Sequence, residues 1–150
     1  MSKIIQRGLI DGIALSITTS AALLTASRIE CGSSWAAINP ICHITDGDER
    51  SFGDEFDARD SLLGLGISSS VMCAWGVLHA VFFRKVKWPE SLAAGGITAA
   101  GAYLIDYYLV PRRFTPGIEK KLSPRAILAA YAILGLTLGI AAKFHRSERN

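Results

Sequence analysis

The chain has 150 residues, half of them hydrophobic, with a mean hydropathy of +0.31 and a formal net charge of +3. That length fits a single domain, 1–150, and the positive charge comes from mixed loops with no basic stripe among aromatics, so nucleic acid is excluded as a partner. Three cysteines are too few for a disulfide scaffold or a four-thiolate metal site.

The apolar residues gather into four nearly charge-free blocks, and a bilayer core of roughly 30 Å needs about 20 helical residues to cross it. The first block, 9–29, follows Lys3 and Arg7 and resembles a secretion signal. Asp11 interrupts it, Ser20-Ala21-Ala22 is a weak cleavage site, and Glu30 before Cys31 spoils a lipoprotein-type site. A retained helix is therefore expected. The second block, 61–83, carries no ionisable residue but His79 and ends at Arg84, Lys85 and Lys87, with Trp88 at an interfacial position. The third, 90–110, contains Asp106 and stops at Pro111, which cannot continue a helical ladder. Pro124 opens the fourth, 124–143. The short link 84–89 makes the second and third helices antiparallel neighbours. The expected fold is all-α: a polytopic four-transmembrane-helix bundle with one long acidic extramembrane loop. That loop, 30–60, holds eight acidic residues against Arg50 and Arg59.

Small residues at four-residue spacing (Gly8/Gly12, Gly95/Ala99, Gly96/Ala100, Gly135/Gly139) let helix backbones approach, within one bundle or between copies. Lysines and arginines divide eight and eight between the two sides. The bare positive start and the acidic first loop favour both termini in the cytoplasm.

Ionisable residues inside a span are costly, so each is a functional candidate. His79 and Asp11 fall toward one end of the bundle and Asp106 toward the other, so His79 and Asp106 are not expected to pair. His79 should instead hydrogen-bond a neighbouring helix. Asp106 should pair with an arginine, from Arg28, Arg112 or Arg113, or else contribute to a site at the outer face. Asn-Pro and Asp-Gly turns make segment 39–49 compact. The candidate polar site is Asn39, His43, Asp48, Glu49, Asp106, Arg112 and Arg113. Within it His43, Asp48 and Glu49 offer one nitrogen and several oxygens, a set a divalent metal accepts; a solvated acidic loop is the alternative. A calcium loop beginning at Asp46 fails, with Arg50 fifth, Ser51 sixth and Asp57 twelfth. No other cofactor is expected. Cys31 and Cys42 flank the segment and could form a disulfide in an oxidising compartment, while Cys73 lies mid-helix.

Two stretches carry a resemblance. They are Asn39-Pro40 followed by His43 and Gly47-Asp48-Glu49, and Asp106-Tyr107 followed by Val110-Pro111-Arg112-Arg113-Phe114-Thr115-Pro116-Gly117 and Glu119. On them the chain resembles an uncharacterised family of small four-helix bacterial inner-membrane proteins. The resemblance implies a bacterial inner-membrane location and supplies no activity. The second helix departs from the family's His-rich start and acidic end, having Gly66 to Ser69 and His79 there.

Three functions compete. The first is a non-enzymatic module for assembly, partner contact or ion sensing. The second is a membrane-embedded enzyme acting on a lipid or headgroup, with His43, Asp48, Glu49 and Asp106 as acid–base or metal-binding groups and Arg112 and Arg113 holding a phosphate. The third is an oligomeric transporter or channel subunit. Partners would be the lipid bilayer, further copies of the chain or another membrane protein.

Overall fold

A computed structural model describes residues 3–47, 50–83 and 85–147, the side chains of 142, 143 and 145–147 excepted. The described residues are all helix, turn and loop, with no strand among them. Helix α1 is Lys3–Cys31, α2 the single turn His43–Asp46, α3 Ala58–Phe82, α4 Ser91–Leu104 and α5 Pro124–Ser147. A π-helical turn, Ile105–Leu109, extends α4, and 3-10 turns occupy Asn39–Cys42, Arg112–Phe114 and Ile118–Lys120. Helices α1, α3 and α5 are long and apolar enough to cross a membrane.

The helix ends follow local chemistry more than hydropathy. Helix α1 is already formed at Lys3, the first described residue, ahead of the apolar block. Asp57 caps α3 by accepting from the Asp60 amide at 2.8 Å, which sets its start ahead of the apolar block. Pro124 occupies the first turn of α5, where its missing N–H costs nothing. At the end of α4 the Val110 amide reaches back five residues to the Ile105 carbonyl at 3.0 Å, and Pro111 ends the ladder. The wider π turn swings Asp106 toward α5.

Glycines decide which helices touch. A Cβ on Gly8 would lie 2.5 Å from the Val77 Cα, and one on Gly76 would lie 2.5 Å from the Gly12 amide nitrogen. The α1 and α3 backbones therefore meet directly. In α4, Gly95 is in the same relation to the Gly139 amide of α5, at 2.8 Å. Helices α1 and α5 pack side by side, linked by Thr18 and Thr137 hydroxyls 3.0 Å apart. The spatial order is α3, α1, α5, α4. Helices α3 and α4 are antiparallel, as the short link requires, but α4 packs chiefly against α5 and only sparsely against α3. His79 bridges their hairpin end through the Thr98 hydroxyl at 2.7 Å. Gly96 meets nothing and is exposed with Ala100, so that pair takes no part in bundle packing.

Large apolar side chains are not confined to the interior. Ile17 is 66% exposed, and Ser27 and Ser61 are fully buried alongside Leu15, Leu134 and Leu138. Apolar side chains face outward on α1, α3, α4 and α5, an outer surface suited to lipid, while small and hydrogen-bonded polar groups share the interior with the leucines. Gly76→Leu should separate α1 from α3 and lower stability by about 1–3 kcal/mol or more. Gly66→Ala, on an exposed helical position with open space around it, should be neutral or stabilising by up to about 1 kcal/mol. Thermal unfolding in detergent, followed by helicity, checks the pair.

Candidate functional site

The segment joining α1 to α3 is folded into the bundle. Residues 36–43 are all buried, and Ile38 packs so closely on α3 that a Cβ on Gly64 would meet its carbonyl oxygen at 2.5 Å. Buried non-helical backbone has to find partners for its polar groups, and here side chains supply them. The Asn39 amide nitrogen donates to the Gly53 and Glu55 carbonyls, both at 2.8 Å, and its oxygen accepts from the Ser61 hydroxyl at 2.8 Å. Ser27 accepts from the Ala37 amide at 3.0 Å and donates to the Ser33 carbonyl at 2.7 Å.

The expected acidic, solvated loop is much less free than its composition suggests. Asp46 and Asp60 share two guanidiniums: Arg59 bonds Asp46 at 2.6 Å and Asp60 at 3.1 Å, and Arg50 bonds Asp60 at 2.9 Å and also Asp46. The Arg59 hydrogen bond is the main reason the Asp46 carboxyl is held well below the usual carboxylate range, with Arg50 and Thr45 assisting against a smaller desolvation effect. Asp54 pairs with Lys121 at 2.6 Å. Glu30 accepts from both the amide and the hydroxyl of Ser123, at 2.7 and 2.6 Å, tying α1 to the start of α5.

The sequence-derived candidates scatter. Asn39 is a structural knot. His43 is fully buried, its Nδ1 2.7 Å from the Pro40 carbonyl and its Nε2 without a partner among the described residues, with Gly117 (φ +78°) packed against the ring. A side chain at Gly117 would strike His43, so the left-handed glycine and the buried ring need each other. Asp48 and Glu49, the other members of the metal set, lie outside the described residues. Among those described, no group of three His, Cys, Asp or Glu residues could hold a metal. Arg112 and Arg113 are exposed, and neither pairs with Asp106.

Asp106 is instead bonded by the Tyr131 hydroxyl at 2.6 Å, correcting the expected arginine partner. The π turn aims it into the bundle, while the arginines after Pro111 turn outward. Tyr131 stacks edge-on against Tyr103, and Tyr107 lies beside both. The Cys31–Cys42 disulfide is not formed. Cys31 donates to the Lys121 carbonyl at 3.2 Å and Cys42 to the Asp60 carbonyl at 3.0 Å.

Because α3 and α4 barely touch, a cleft of about 80 Å³ remains beside Asp106. Its floor is Thr19, Leu23, Ala130, Tyr131 and Leu134 of α1 and α5. Ile67, Ser68, Val71 and Met72 of α3 form one wall, and Asp106 and Phe114 the other. Ile41, Ile44, Pro116 and Ile118 roof it. The sequence pointed to Asp106 but not to Thr19 or Tyr131, whose spacing carries no motif. Comparison with protein-family models, with curated proteins and with solved structures finds no match for the chain.

Two outcomes follow for the folded loop. Burial, then Asp60 and Asp46, push the Cys42 thiol up, so it should resist maleimide in the folded protein. Asn39→Ala strips partners from two carbonyls and a buried hydroxyl, a loss of at least about 2 kcal/mol, and should make Cys42 react. The lowered Asp46 contributes stability above the ordinary carboxylate pKa, lost only as pH falls through its lower folded value. Hydrogen exchange of residues 36–43 should therefore stay slow through mild acid. In Arg59→Ala the onset of fast exchange should move up toward about pH 4.

Proposed function

We propose that the chain crosses a membrane four times and works there as a non-enzymatic interaction module, its folded loop forming a rigid cap on one face. Three spans are α1, α3 and α5. The fourth is α4 with its π turn, residues 91–109: at about 1.5 Å per residue these extend roughly 28 Å, close to a bilayer core. The short α-helical part alone falls below that length, which is why continuity through the π turn matters. The resemblance noted above and the bare positive N-terminus favour a bacterial inner membrane with both termini in the cytoplasm.

One observation carries the non-enzymatic reading: three ionisable side chains that reach the interior serve as fasteners. His79 holds Thr98, Asp60 holds two arginines, and the Asp106 carboxylate is bonded by Tyr131. The loop's charges likewise hold the cap closed, which favours assembly or partner contact over ion sensing. An enzyme acting on lipid headgroups is the second reading, favoured by exposed Arg112 and Arg113 on the turn that follows Asp106. Release of product from phospholipid vesicles by the purified protein, abolished in Arg112→Ala/Arg113→Ala, would establish that reading instead.

The topology is tested with cysteines placed at Glu55 and at Lys87 after Cys31, Cys42 and Cys73 are replaced. The protein should stay in the membrane pellet through an alkaline wash. An impermeant maleimide should label the two positions from opposite sides. Recovery in the supernatant, or labelling of both from one side, overturns the four-span reading.

A further inference from the structure

The cleft between α3 and the end of α4 is incomplete in a specific way. Thr19 lines it and is 6% exposed, yet among the described residues its hydroxyl has no hydrogen-bond partner. Other helical hydroxyls here, Thr18, Thr25, Thr98 and Thr137 among them, donate to the carbonyl four residues back. A buried hydroxyl left unpaired is destabilising, so what fills the cleft has to offer it a partner. At the cleft's loop end Tyr131 bonds Asp106 through Oδ2, and Oδ1 makes no hydrogen bond among the described residues.

The two polar points are set apart along the cleft. Thr18 meets Thr137 of α5 and Asp106 meets Tyr131, so the threonine level lies six residues deeper (137 less 131), about 9 Å at ~1.5 Å per residue. Leu134 lies between them, and Ile67, Val71 and Met72 carry the apolar lining along α3 beyond the threonine level. Helices α1 and α3, α1 and α5, and α4 and α5 are packed pairs, so the cleft opens sideways between α3 and α4. Val71 and Phe114 at its rim are exposed.

We infer that this cleft is a lipid-binding site for an acylglycerol with a free hydroxyl, its hydroxyl donating to Asp106 Oδ1, its ester carbonyl accepting from Thr19 and its chain lying along α3. The inference rests on the four-span reading, since only then does the sideways opening face acyl chains. A hydroxyl fits better than an ammonium, because exposed Arg112 and Arg113 follow Asp106 across Pro111 and repel a cation. A narrow, mostly apolar cleft with a few placed polar groups is the usual form of such a site.

The full chain in phosphatidylcholine nanodiscs is exposed to a monoacylglycerol carrying a photoreactive diazirine near the middle of its chain. Labelled peptides should fall within 67–76 of α3, beyond the threonine level. Excess monooleoylglycerol should suppress labelling, and methyl oleate, which lacks the hydroxyl, should do so about fivefold less well, the effect of one hydrogen bond. Thr19→Val should weaken labelling by a similar factor, and Asp106→Leu, which can neither accept from nor donate to a hydroxyl, should remove the preference for it. Val71→Trp, at the rim, should block labelling while helicity stays unchanged, which guards against loss of fold in the other variants. Labelling spread evenly over Ile13, Ile17 and other outward residues, or equal competition by methyl oleate, overturns the site. So does a crosslink between two copies through the cleft. A chain that fails to enter nanodiscs defeats the four-span reading, whereas one that enters and is not labelled in the cleft defeats this inference alone.

Discussion

Direct backbone contact at glycines organises the molecule. Gly8, Gly12 and Gly76 bring α1 against α3, and Gly95, Gly135 and Gly139 bring α4 against α5. In a lipid environment there is little hydrophobic drive to push helices together, so close approach and the dispersion contacts it permits are what hold a bundle. Two tightly joined pairs then meet through α1 and α5. Two sides of this four-membered ring have glycine seams, and the third, α1 against α5, is joined by Thr18 and Thr137 without one. Where α3 faces α4, His79 and Thr98 link the hairpin end and a gap is left toward the loop end. The cleft lies on the one side that has neither a glycine seam nor close side-chain packing.

The folded loop answers that gap. Residues 36–43 pack on α3, and Ile41, with Ile44, Pro116 and Ile118, closes the loop end of the cleft. Burying irregular backbone is expensive unless its amides and carbonyls are matched, and Asn39 supplies three of the required bonds from one side chain. The Asp46–Arg59–Asp60–Arg50 network does something different. Its arginines are partly exposed, so each pair contributes modestly, and together they fix the direction in which the chain returns to α3 and keep the loop closed above the pH at which Asp46 is protonated.

Much of the helical framework was legible because hydropathy and proline placement report it directly. The blocks at 61–83 and 124–143 lie within a few residues of α3 and of most of α5, and His79 does bond the neighbouring helix. Charge composition misled at the loop. Eight acidic residues suggested a solvated surface, yet Ala36, Ala37, Ile38 and Ile41 form a short apolar run that belongs to the core. Nothing in local sequence indicates that Asn39 would meet Gly53, Glu55 and Ser61, since those bonds span 14 to 22 residues. Asp106 stood out in the sequence as an ionisable group in an apolar block. Its partner was missed because an arginine close in sequence outweighed a tyrosine 25 residues away, and because no pattern announces a π turn.

That π turn deserves its own physical account. Had α4 continued as regular α-helix to Val110, each residue past Leu104 would be rotated relative to its observed direction, and Asp106 would leave α5. The wider turn loses some hydrogen-bond quality, a loss tolerated mostly where function or packing compensates. Here the compensation includes the Tyr131–Asp106 bond and the stacking of Tyr103, Tyr107 and Tyr131. The same rotation presents the second carboxylate oxygen to the cleft and lets Pro111 direct Arg112 and Arg113 away from it. One irregular turn therefore separates an acceptor facing the interior from cations facing solvent. A helix of uniform pitch could not hold neighbours so close in sequence in surroundings so different.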